Sequence, residues 1–165
     1  EQDLSILIAD YAHTSLYGKT LQLRGVTGEQ NSLHFGARGA VLCVAETTQA
    51  LLHQLVAVYA TGNQVVLLQD TALLLPADFP PLLRAAMFII EHPDECSDLR
   101  LALLENGQRQ PDLRSALAAR DGAIVTVVTT HSPQVIPLWR LVTERALCVN
   151  TTAAGGNASL MTISA

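Results

Sequence analysis

Lysine occurs once in this chain of 165 residues, at Lys19, and ten basic side chains face fifteen acidic ones for a net charge of −5. With no basic stripe and aromatics at 4 %, a nucleic-acid partner has no electrostatic footing. Cysteine is also scarce. Cys43, Cys96 and Cys148 are odd in number and show no C-x-x-C spacing, which argues against a disulfide framework and a zinc site and fits a reducing cytoplasm. The first residues, Glu1-Gln2-Asp3, are acidic, unlike the basic start of a secretory leader, and a start without Met reads as a piece of something larger. The uncharged stretch 122–139 is nearly long enough to span a bilayer. Pro133, Pro137 and His131 within it point instead to a buried strand and a turn, so a soluble chain is expected.

What the chain does have is apolar bulk. At 49 % hydrophobic and 15 % charged it is greasier than most soluble domains, which suggests surface meant to be covered by a partner. Its length suits one domain, residues 1–165, with a proper core. Leu4, Leu7, Ile8 and Tyr11 are spaced for a short amphipathic helix over Gln2–Ala12. Leu16–Arg24 alternates like a strand, Gly25-Val26-Thr27-Gly28 is a turn, and Ser32–Phe35 returns, giving a hairpin outside any parallel core.

From Gly39 the pattern changes. Ala40–Val44 and Gln64–Leu68 are continuous apolar runs, as in strands buried on both faces. Between them Thr47 or Thr48 can cap a helix through Tyr59, closed by Gly62. A brief helix over Asp70–Pro76, stopped by Pro76, Pro80 and Pro81, precedes strands at Ala85–Ile90 and Leu99–Leu104. A helix over Pro111–Arg120 and a fifth strand over Ala123–Thr129 complete the alternation. The expected fold is α/β: a Rossmann-like, doubly wound, mostly parallel five-stranded sheet with helices on both faces.

Such a sheet invites a dinucleotide, and the first strand-to-helix turn tests for one. Glycines there let backbone amides cradle a pyrophosphate. This chain offers Val44-Ala45-Glu46-Thr47, with no glycine and an acid where phosphate would sit. Asp70 stands where a ribose-binding acid is expected, or else caps the next helix. Cys43 falls in a buried strand and reads as core. Cys96 lies among Asp94, Glu95 and Asp98, whose charge works against a nucleophilic thiolate. Cys148 has no partner base in sequence, and His13, His34, His53, His92 and His131 fall on separate elements. No catalytic, cofactor-binding or metal residue emerges.

The end of the chain is unlike the rest. Ala146-Leu147-Cys148-Val149 runs into Asn150-Thr151-Thr152, then the small-residue stretch 153–159 with Gly155-Gly156-Asn157, then Leu160-Met161-Thr162-Ile163. It reads either as a last strand, turn and short strand packed on this domain, or as a tail that docks into another protein surface. Gly155-Gly156-Asn157 is a turn needing φ > 0 or an anion-binding nest.

VNTTAAGGNASLMTI is similar to the terminal motif of the longer bifunctional bacterial flavoenzymes called proline utilization A. Gly25-Val26-Thr27-Gly28-Glu29-Gln30-Asn31 resembles their PTGERN-type hairpin, with Val26 for Pro and Gln30 for Arg. Ala40–Ala45 resembles the first core strand, and Ala118–Val125 the helix-to-strand corner before the last. The resemblance implies a C-terminal domain related to the nucleotide-binding half of aldehyde dehydrogenases, with a β-flap from residues 16–37 and 144–152. It implies a docking tail, 153–165, with contacts through Asn150, Thr151, Gly155, Gly156, Asn157, Leu160, Met161 and Ile163. The FAD and NAD of such enzymes would belong to other modules, and the partner would be the aldehyde dehydrogenase module of the same chain or its dimer mate. Two other readings stay open: a free-standing nucleotide-binding or regulatory domain, and a homodimerisation module built on the flap.

Overall fold

Five consecutive residues of Ala40–Val44 (β3) are buried, and the rest of the architecture follows from covering both of their faces. The structure, a computed structural model, describes residues 4–131 and 134–150. Beside β3 lie Gln64–Leu68 (β4) and Leu99–Glu105 (β6), with Phe88–Ile90 (β5) and Thr126–Thr130 (β7) at the edges. All four pairings are parallel and the order is β5-β4-β3-β6-β7. Because side chains alternate across a sheet, odd and even positions build two separate cores. Val41, Cys43, Val65, Leu67, Leu101 and Leu103 pack with Leu51 and Leu55 of Thr48–Ala60 (α2) and Leu7 and Tyr11 of Leu4–Thr14 (α1). Leu42, Val44, Val66, Leu68 and Leu104 pack on the other face with Leu117 of Gln110–Ala119 (α5). The expected doubly wound sheet with helices on both faces is what forms.

Local chemistry sets the helix ends. Thr47 caps α2, its hydroxyl accepting from the Ala50 N–H at 3.1 Å, and Gly62, at φ 68°, closes it with a left-handed residue. The proline cluster behaves differently from its sequence reading. The helix after β4 is a single turn, Gln69–Ala72 (α3), and Pro81, read as a stop, opens Pro81–Ala85 (α4) from its first turn. Proline's missing N–H costs nothing there. Ala85 therefore belongs to a helix, and the third strand shrinks to β5. The fifth strand starts at Thr126, not Ala123, and Ile124 before it is 96 % exposed.

Outside the core, Thr20–Leu23 (β1), Glu29–Ala37 (β2) and Val142–Asn150 (β8) form an antiparallel flap in the order β1-β2-β8. β2 is longer than the Ser32–Phe35 expected for it, because β8 pairs with it from Ala37↔Val142 to Glu29↔Asn150. Among the described residues no helix is long and apolar enough to cross a membrane.

Candidate functional site

In an open parallel sheet, ligands collect at the carboxyl ends of the strands where the winding reverses. Here that point lies between β3 and β6, and two carboxylates occupy it. The Glu46 N–H, one of the amides that would face a phosphate, donates instead to Glu105 Oε2 at 2.6 Å. The Glu46 carboxylate lies so close over Gly107 that a Cβ there would collide with it. A phosphate charge about 4 Å from one such carboxylate meets repulsion of about 4 kcal/mol at an effective dielectric of 20, and about 1 kcal/mol in open water. Beneath the crevice, Gln54 on α2 donates to the Val44 carbonyl and to the Thr130 hydroxyl, each at 2.9 Å, tying β3 to β7.

Asp70 is neither a helix cap nor a free ribose acceptor. Leu68 is the cap of α3, and Asp70 in its first turn accepts from the Thr71 N–H at 2.6 Å and pairs with Arg109 at 2.7 Å. A shallow hollow of about 340 Å³ adjoins this pair, lined by Leu68, His92, Arg109 and Leu113.

The cysteines and histidines stay apart. Cys43 is fully buried, and burial pushes its thiol up, as for a core residue. Cys96 lends its carbonyl to Arg120 at 2.6 Å, and Cys148 is exposed on β8 opposite Asn31. His53 is buried on α2, and desolvation lowers its pKa. Among the described residues no group of three or more His, Cys, Asp or Glu is placed to hold a metal ion. Of the tail positions, Asn150 ends β8 in register with Glu29. Thr151, Gly155, Gly156, Asn157, Leu160, Met161 and Ile163 lie outside the described residues.

A larger hollow, about 600 Å³, opens on the helical face, lined by Leu4, Ile8, Leu52, Val56, Tyr59 and Phe79 among others. Leu73, Leu82, Phe88, Ile89 and Trp139 add large exposed apolar side chains elsewhere. Sequence reasoning missed Glu105 at the crevice, since nothing local marks it as the partner of a glutamate 59 residues away.

No family model matches the chain. It is 40 % identical over 177 residues to the bifunctional protein PutA of Escherichia coli (strain K12), a match covering 98 % of this chain. To PutA of Rhizobium meliloti it is 36 % identical over 160 residues, or 91 % of the chain. The chain spans only about 12–13 % of the length of these relatives. A crystal structure of proline utilization A from Bradyrhizobium japonicum superposes with a TM-score of 0.55 at 22 % identity, over 78 % of this chain and 15 % of that one. An NAD-dependent benzaldehyde dehydrogenase from Corynebacterium glutamicum gives the same TM-score at 15 % identity, over 77 % and 31 %. The last two establish a shared fold, and the sequence matches establish descent. Over nearly its whole length the chain belongs with the PutA proteins, as the counterpart of a segment about one eighth of their length, and it shares the fold of part of an aldehyde dehydrogenase.

Proposed function

We propose that this chain is the non-catalytic C-terminal domain of a cytoplasmic, bifunctional proline-catabolic enzyme. Such an enzyme takes proline to glutamate through pyrroline-5-carboxylate, with FAD and NAD held in its other modules. In that role the domain packs on the aldehyde dehydrogenase module, in the same chain or its dimer mate. It covers the passage along which the intermediate moves and braces that active site. Descent from a segment of the PutA proteins supports the parentage. The observation that carries the non-catalytic part is the Glu46 N–H bound to the Glu105 carboxylate where a dinucleotide's phosphates would need it. The apolar hollow beside α1 and α2 supports a covered surface, since monomers seldom leave large apolar patches in water.

Titration calorimetry of the purified domain with NAD and NADP tests the lost nucleotide site. No binding is expected. A dissociation constant tighter than about 1 mM, roughly −4 kcal/mol, would overturn that part of the reading.

A second reading, a homodimerisation module, is favoured by one observation. Leu21 and Leu23 on β1, and Leu147 and Val149 on β8, are about half exposed on the two outer strands of the flap. Exposed edges recruit further strands, so the isolated domain is expected to self-associate as its concentration rises. Light scattering that stays monomeric at high concentration counts against it.

A further inference from the structure

The flap has little apolar packing to aim it. All of β1 is exposed, β8 is exposed beyond Val142, and on β2 only Ser32 and Phe35 are buried. Its direction relative to the sheet must come from directional bonds at its roots. The chain crosses between core and flap three times: from α1 into β1, from β2 into β3, and from Leu141 into β8. All three crossings meet the same three residues, the turn Thr61-Gly62-Asn63 that ends α2.

At the first crossing, the Tyr17 ring lies so close over Gly62 that any side chain there would strike it. At the second, Asn63 Oδ1 accepts from the backbone N–H groups of Arg38 at 2.7 Å and Gly39 at 2.9 Å. At the third, Asn63 Nδ2 donates to the Leu141 carbonyl at 2.7 Å. The second Nδ2 proton goes to Thr61 Oγ1 at 2.8 Å, and that hydroxyl donates to the Ala57 carbonyl in the last turn of α2. A carboxamide offers two lone pairs and two protons, and Asn63 uses all four while only 7 % exposed. Two more bonds close the joint: the Gln64 N–H donates to the Gly39 carbonyl at 3.1 Å, and the Arg38 guanidinium to the Arg140 carbonyl at 2.6 Å.

We propose that the Thr61-Gly62-Asn63 turn is a clasp that fixes the flap's direction, and that releasing the Asn63 carboxamide frees the flap as a unit while the five-stranded core stays folded. The proposal does not depend on the proline-catabolic reading. Among the described residues, no other side chain of the joint bonds both the β2 root and the β8 root and is tied through Thr61 to a core helix. Buried, fully satisfied polar groups specify a unique arrangement because breaking one bond leaves another group unpaired.

Residue-resolved hydrogen exchange on the 165-residue chain tests this, with Asn63→Ala and Asn63→Asp. In the alanine variant, the amides of Arg38 and Gly39 and those of the β2–β8 root are expected to exchange at least about tenfold faster, with the amides of β3 and β4 much less changed. Aspartate keeps Oδ1 as acceptor and loses the donor. The β8 root should then loosen while Arg38 and Gly39 stay near their original protection. A uniform acceleration through β3, β4 and the flap, or none anywhere, overturns the proposal. If neither variant folds, native-state exchange of the unaltered chain in low denaturant decides. Opening of Arg38, Gly39 and the flap together, below global unfolding, supports the clasp; opening only with the core overturns it.

Discussion

Replacing Leu103 with alanine is expected to remove about 2–5 kcal/mol of stability, lowering the melting temperature by roughly 4–20 °C in a domain of this size. Leu103 lies mid-strand on β6, is 0 % exposed, and stands in register between Cys43 of β3 and Val128 of β7. Its side chain joins the core under α1 and α2, so truncation removes transfer free energy and leaves a cavity beside its neighbours on β3 and β7. Those strands are bonded into a parallel ladder and cannot collapse far. Net stabilities of single domains are about 5–15 kcal/mol, so the variant stands near the limit of folding. Ile124→Ala, at a site 96 % exposed, is the control and should stay within about 0.5 kcal/mol of the parent. Chemical denaturation of both checks the pair. A Leu103→Ala loss below about 1 kcal/mol would mean that β6 is not buried on both faces.

In a full-length enzyme of the proposed kind, deleting Gly155–Ala165 is expected to leave proline oxidation intact and to slow the aldehyde oxidation at least about tenfold, or 1.4 kcal/mol. The expectation rests on the proposed role and on the composition of the last residues. Leu160, Met161 and Ile163 are worth roughly 1.5–3 kcal/mol each when buried. Ordering about ten backbone residues costs on the order of 1–2 kcal/mol apiece. Three side chains therefore cannot hold such a segment in place alone, and backbone hydrogen bonds to a receiving surface must contribute. If that surface belongs to the dehydrogenase module, removing the segment affects that module and not the flavin-dependent one. Separate steady-state assays of the two oxidations check this, with sedimentation and thermal melting to show that the truncated enzyme is still assembled. Unchanged kinetics in both steps would reject the docking role.

Much of the fold follows from signals only a few residues long. Ala40–Val44 and Gln64–Leu68 are continuous apolar runs, which suit strands covered on both faces and become the centre of the sheet. Thr47 and Gly62 bracket α2 through bonds spanning three residues at either end. The missing glycine and the acid in Glu46-Thr47 are equally local features of the first turn. Proline is legible but ambiguous, since the same residue stops one helix and starts the next. Pro81 stands in the first turn of α4, where its missing N–H is no loss.

The amino-acid sequence by itself determined the strand and helix alternation, the doubly wound class and the presence of an acid in place of glycine in the first turn, because each rests on periodicity, capping or one residue's identity. Only the tertiary structure decided that Glu105 takes the Glu46 amide from 59 residues away, and that Asn63 bonds Arg38 at a separation of 25 and Leu141 at 78. Glutamate and asparagine are ordinary surface residues in a string of letters. What brings them to their partners is the parallel sheet, which sets side by side strand ends and turns that no local pattern connects.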